Sequence, residues 1–307
     1  MTIDIFNFQS DTIGSFDLLI FAVGYEERSR FVAERVHQDS DIIVGYQFDD
    51  GHMFSFASNL GFLSEIGGHI MHANDTLESM LRSLGIVEFI NKKICLDVSS
   101  LNRGAMAAIL AELIDSDFFL GVHVTVMYAI ARFSKPASEQ VDFLDFAPLP
   151  GFSGWTSNPE RPTVLVLGLG YETDHAIGAL EYLDPSSAFA FSPIGIDERF
   201  DREVFTANEA VFDVIAGHRI VYYRVMAPYD TYWQMRSLIF SLIGSARVVL
   251  VPMGPKIFSS LCLVGQRVFG DEISVWRASG HTLAGARDVS ASGEIAGYVF
   301  RRSAPSR

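Results

Sequence analysis

Short runs of consecutive apolar residues alternate along this chain with longer segments whose apolar positions recur at helical spacing. LLIFAV, DIIVGYQF, KKICLDV and GVHVTVMYAI read as strands in the first part of the chain, with helices over residues 75–89 and 102–115. TVLVLGL, AFAFSPI, HRIVYYRV, ARVVLVP and ISVWRA read as strands in the second part, with helices near 173–183, 230–243 and 256–269. Strands that are apolar throughout, separated by amphipathic helices, predict parallel sheets covered on both faces.

The pattern repeats. FDLLIFAVGYEERSRFV, from Phe16, is matched with the segment RPTVLVLGLGYETDHAI, from Arg161, on Gly24, Tyr25 and Glu26 against Gly170, Tyr171 and Glu172. Asn74–Leu84 matches Tyr229–Ile239, with Asp75-Thr76 on Asp230-Thr231, and the strand and helix of Lys92–Leu110 match Ala246–Val264. Three matches in one order at nearly constant spacing predict an internal duplication. The expected fold class is α/β, two tandem Rossmann-like halves, each a mostly parallel sheet with helices on both faces. The expected boundaries are residues 1–133 for the first half, 134–162 for a linker holding five of the 11 prolines, and 163–307 for the second half.

Composition narrows the functional classes. At 307 residues, 49% hydrophobic and 20% charged, the chain has the material for two cores and is predicted to lack a long disordered region. A formal net charge of −14 disfavours general nucleic-acid binding, because a phosphate backbone would be repelled. Cys95 and Cys262 lie in apolar runs and read as buried free thiols. The N-terminal segment has no basic stretch before an apolar one, and no apolar run reaches the ~20 residues of a membrane span, so the expected location is cytoplasmic, with no membrane partner.

In open parallel sheets ligands bind outside the carboxyl ends of the strands, which selects four loops here. Two follow the first strand of each half: Gly24-Tyr25-Glu26-Glu27-Arg28-Ser29-Arg30 and Gly168 to His175, with Gly170, Tyr171 and Glu172. The other two are Asp97-Val98-Ser99-Ser100-Leu101-Asn102-Arg103 and Pro252-Met253-Gly254-Pro255-Lys256. The Gly168-x-Gly170 turn lacks the third glycine of a dinucleotide fingerprint, so Gly24 and Gly170 read equally well as relief of crowding at a tight turn. AFAFSPI does not end in the carboxylate that a methyltransferase needs for ribose. Asp97, Ser99, Ser100 and Arg103 could bind phosphate or ribose, although Ser99, Ser100 and Asn102 also suit helix capping. Lys256 at a helix start opposes the macrodipole and invites an anion. Glu26, Glu27, Arg28 and Arg30 read either as a charged patch or as the solvated face of an amphipathic helix, and His175 as polar surface or an acid–base group. There is no CxxC, HExxH or GxSxG, and neither a metal nor a cofactor is predicted.

With ICLDVSSLNRGAMAAIL and FDLLIFAVGYEERS, the chain resembles the CRISPR-associated Rossmann-fold sensor family and its relatives in bacterial defence systems. The resemblance implies a pocket for a nucleotide signal between the loop after the first strand and the Asp-Ser-rich loop, and carries over Ser99, Ser100 and Arg103. The glycine-rich loop and lysine of that family are replaced here by Ser99-Ser100-Leu101-Asn102-Arg103.

The expected function is therefore binding of a nucleotide or other phosphorylated small molecule, with Gly24, Tyr25, Glu26, Arg28, Ser99, Ser100, Arg103, Gly170, Tyr171 and Lys256 as ligand contacts. Two alternatives stand beside it. One is an enzyme cleaving a nucleotide or glycosidic bond with Asp97 or Glu172 as general base. The other is a partner-binding subunit of a multi-protein defence system that docks another protein through the region of Phe152 and Trp155; a homodimer is a separate expected association.

Overall fold

A computed structural model describes residues 2–9, 14–135, 145–156, 158–279 and 286–303. It divides into two compact units, Met1–Arg132 with Arg287–Arg307, and Phe133–Ala286.

The first unit contains β1 (Thr2–Asn7), β2 (Phe16–Val23), α1 (Ala33–Val36), β3 (Ser40–Gln47), α2 (Phe56–Glu65), β4 (His69–His72), α3 (Leu77–Ser83), β5 (Lys93–Asp97), α4 (Arg103–Asp115) and β6 (His123–Ala131). The second contains β7 (Asp145–Pro148), β8 (Thr163–Gly168), α5 (His175–Leu183), β9 (Ser187–Ile194), α6 (Glu198–Ala207), α7 (Glu209–Val214), β10 (Ile220–Arg224), α8 (Pro228–Leu242), β11 (Arg247–Pro252), α9 (Lys256–Phe269) and β12 (Ile273–Ser279). A last strand, β13 (Ala291–Ser303), returns to the first unit.

The strand orders are β1-β13-β6-β5-β2-β3-β4 and β10-β9-β8-β11-β12-β7. Aligned on β2 and β8, they correspond over six strands, five parallel and an antiparallel sixth on β6 or β12, and the first sheet adds β1 as a seventh, antiparallel to β13. All three sequence matches fall on equivalent elements, so the fold is two Rossmann-like halves. The central strands are apolar because both faces are covered; every residue from Leu18 to Val23 is at most 1% exposed.

The repeat crosses over at its sixth strand. β7 follows β6 in the chain but pairs with β12, and β13 follows β12 but pairs with β6. Each sheet thus takes as its sixth strand the one that follows the other half's last parallel strand. The boundaries predicted from sequence change accordingly: residues 287–307 belong to the first unit, and the proline-rich segment contributes β7 to the second. Phe152, expected as part of a docking surface, is fully buried under the Arg267 guanidinium, 4.0 Å from its ring centre, while Trp155 is exposed.

The helix predicted over 75–89 is shorter. α3 ends at Ser83 because Gly85 takes a positive φ of 85° and the amide of Ile86 folds back onto the Leu81 carbonyl. Its start is fixed by Thr76, whose hydroxyl accepts from the Ser79 amide in a capping box, and by Glu112, whose carboxylate accepts from the amides of Leu77 (2.8 Å) and Glu78 (2.5 Å). Thr231, the counterpart of Thr76, lies inside the first turn of α8 and donates to the Ala227 carbonyl, so that match is one of position and not of role. Cys95 and Cys262 are buried and not joined in a disulfide.

Candidate functional site

In each sheet the chain leaves the first strand to one side and returns later on the other, which creates a switch point between β2 and β5 and another between β8 and β11. Residues at the carboxyl ends of these strands flank the crevice where such folds bind ligands.

In the first unit a polar network spans the switch point. Ser100, on the loop after β5, donates from Oγ to Glu26 Oε2 at 2.8 Å, on the loop after β2. Arg28 donates from Nε to the same oxygen at 2.9 Å, and its Nη1 reaches the Ala129 carbonyl on β6 at 3.4 Å. Its Cζ lies 5.7 Å from the centre of the Tyr128 ring. Arg28 sits in a short 3₁₀ turn, Glu27–Arg30, and is 7% exposed, so for Glu26 and Arg28 the solvated-face reading is replaced by a largely buried ion pair, while Glu27 is exposed and Arg30 pairs with Glu34 near the surface. Burial works to discharge the guanidinium, but Glu26 and Tyr128 outweigh it and hold its pKa above the ordinary value. The pair fixes the Glu26 carboxylate, which remains partly exposed.

Asp97 and Ser99 form the second half of the network. Asp97 Oδ1 accepts from the Ser99 amide at 2.8 Å and from the Ser99 hydroxyl, and Ser99 Oγ accepts from the Ala129 amide at 2.7 Å. Asp97 is 1% exposed and Ser99 is fully buried. Their geometry suits positioning, joining the loop after β5 to β6, and not contact with a substrate. Asn102 caps α4, accepting from the Ala105 amide at 2.8 Å, as its capping reading predicts. Arg103 is the first residue of α4 and Lys256 the first of α9, so both helices open with a cation.

Several contributors escaped the sequence reading. Asn59 on α2 is fully buried and donates from Nδ2 to the carbonyls of Gly24 (2.8 Å) and Glu26 (2.9 Å). Asn208, between α6 and α7, does the same for Gly170 at 2.9 Å. These two asparagines occupy matching places in the two halves and could have served as a fourth repeat anchor. Asp288 accepts from the Glu27 amide (2.7 Å) and the Ser55 hydroxyl (2.6 Å), and the Val289 carbonyl accepts from the Arg28 amide (3.0 Å). No local pattern announces these last contacts, since they come from the far end of the chain.

The second unit closes its own switch point with backbone. The amides of Met253 and Gly254 donate to the Gly168 carbonyl at 2.8 and 3.0 Å. A Cβ on Gly170 would lie 2.6 Å from the Met253 carbonyl oxygen, one on Gly168 would lie 2.5 Å from the Phe258 ring, and one on Gly254 would collide with the Leu169 carbonyl. The Gly168-x-Gly170 turn is therefore glycine because two loops cross there in contact, which is the crowding reading. Glu172, Tyr171, Gly170 and Lys256 all belong to this unit, whereas Gly24, Tyr25, Glu26, Arg28, Asp97, Ser99, Ser100 and Arg103 belong to the first. His175 is the first residue of α5 and is 7% exposed, which excludes its reading as polar surface.

No family model and no curated protein matches this chain. Among solved structures, the cytoplasmic domain of a prokaryotic cation chloride cotransporter aligns with 91% of this chain and 97% of its own at 10% identity. Its TM-score of 0.27 is too low to carry an argument.

A cavity of about 370 Å3 lies away from the switch point, between the ends of β3 and β4 and the helices α3 and α4. Thr76 and Glu112 are among its lining residues, and both are occupied in starting α3. The cavity thus has less chemistry to offer than the loops around Glu26 and Ser100. Among the described residues no group of three or more His, Cys, Asp or Glu could hold a metal, and no helix is long and apolar enough to cross a membrane.

Proposed function

We propose that the first unit binds a small phosphorylated molecule at the β2–β5 switch point. The hydrogen bond from Ser100 to Glu26 carries this reading, because it draws the loops after β2 and β5 together around one carboxylate at the place where the fold binds ligands. Glu26, held by Arg28 and Ser100, presents a carboxylate for ligand hydroxyls, as a ribose offers. Arg103 opens α4 against the macrodipole preference, and the first turn of that helix favours an anion, so the phosphoryl group is assigned to Arg103 and the neighbouring amides. The resemblance of these loops to the CRISPR-associated sensor family supports a signalling role for the bound molecule.

Binding is favoured over turnover, since Asp97, the candidate base of this unit, is buried and engaged by Ser99. Isothermal titration with ribose 5-phosphate and with ribose tests the proposal. The expected result is that the phosphate ester binds and ribose does not, and that Arg103→Ala weakens binding about tenfold or more, the loss of one charge-assisted contact. Equal affinity of the Arg103→Ala variant would overturn the assignment. Breakdown products on chromatography would replace the binding protein with an enzyme.

A further inference from the structure

We propose that Tyr25 and Phe54 form a stacking platform for the planar base of a nucleotide, which makes the phosphorylated ligand of the first unit a nucleotide and not a sugar phosphate. The inference rests on the site proposed above and adds a substrate class to it.

Phe54 lies on the loop between β3 and α2 with φ of 47°, in the left-handed region that bulky L-residues avoid. An aromatic residue there pays a conformational cost, and such outliers persist where the surroundings fix them. The surroundings here do so. The Ser55 amide donates to the Tyr25 carbonyl at 3.1 Å, and the Ser55 hydroxyl donates to Asp288, the same carboxylate that accepts from the Glu27 amide. The fixed loop holds the Phe54 ring 57% exposed beside the Gly24–Arg28 turn, its centre 6.1 Å from that of Tyr25 at an interplanar angle of 63°. An edge-to-face pair leaves a ring face available.

The second unit has the same pair at the same spacing, Tyr171 and Phe200, but arranged differently. Those rings are stacked on one another at 5.8 Å and 24°, and Phe133 packs edge-on against Phe200 at 5.1 Å. There the switch point is closed by backbone and the aromatic pair is closed on itself. In the first unit the switch point is bridged by side chains, and the pair is held open at the cost of a strained residue. Stacking suits a base because every base has a π-face.

Calorimetric titration with adenosine 5′-monophosphate and ribose 5-phosphate, on the full chain and on Phe54→Gly and Phe54→Trp variants, tests the proposal. Glycine is at home at this φ, so Phe54→Gly keeps or raises the melting temperature. The same variant should weaken adenosine monophosphate binding about tenfold or more, the usual effect of removing one stacked ring, and leave ribose 5-phosphate unchanged. Phe54→Trp should retain adenosine monophosphate binding. If both ligands bind the wild-type chain equally well, or Phe54→Gly leaves the nucleotide's affinity intact, the platform is wrong and the phosphate site stands. If neither ligand binds, the site itself is wrong and the platform falls with it.

Discussion

Single side chains carry much of the architecture around the Gly24 turn. Asn59 uses one amide group to hold the carbonyls of both Gly24 and Glu26. Asn59→Ala should therefore lower unfolding stability by about 1–3 kcal/mol, read from the urea midpoint, with the exposed variant Ser64→Ala as a near-neutral control. Asp17 sets a pH dependence. Burial pushes its pKa up, but hydrogen bonds from Lys92 (2.6 Å) and the Lys93 amide (2.8 Å) bring the net value below the ordinary one. The unfolded chain takes up this proton first, so the contribution is full above the ordinary carboxylate range and is lost as pH falls from there through the lowered folded-state value. Acid denaturation of Asp17→Asn should be correspondingly less steep, and an unchanged profile would assign the acid sensitivity elsewhere. From sequence, Glu26, Ser100 and Asp97 could be placed by the strand-end rule alone. The burial of Arg28 could not, because a charged residue between Glu27 and Ser29 looks like any solvated turn until its partner on β6 is known.

The elements show where pattern suffices and where it fails. Strands such as LLIFAV and KKICLDV announce themselves through unbroken apolar runs. α2, with Ser, Asn and Gly in FASNLGFLSE, does not, since its helix propensity is poor and its stability comes from packing. β4, four residues flanked by histidines, is too short for any period to show. The glycines separate by context in the same way. Gly254 sits where two loops touch, and Gly254→Ala should cost about 1–3 kcal/mol or more through overpacking. Gly178 lies within α5 with open space beside it, so Gly178→Ala should stabilise by roughly 0.5–1 kcal/mol. Thermal melts of the two variants should move in opposite directions.

For the whole molecule, the duplication was readable because its anchors are local, whereas the exchange of sixth strands was not. β7 and β13 are joined to their partner sheets by pairing between residues far apart in sequence, and a strand carries no label for the sheet it enters. The exchange has a direct consequence: deleting residues 287–307 removes β13 from between β1 and β6, and with it the Asp288 contacts to Glu27 and Ser55. Hydrogen exchange on that truncated chain should show protection lost in β6 and the Gly24–Arg28 turn and retained in β8, β9 and β11. Uniform loss would mean that the two units do not hold their cores separately.

The same method, applied to the intact chain with and without adenosine 5′-monophosphate at a hundredfold excess over its dissociation constant, tests the central claim most directly. Binding there should stabilise the fold by about 2.7 kcal/mol. Protection should rise at residues 24–30, 53–56 and 97–104, around the first switch point, and stay level in the turns at Gly170 and Pro252. Protection gained at the second unit's turns instead, or nowhere, would contradict the assignment of the ligand site to the first unit.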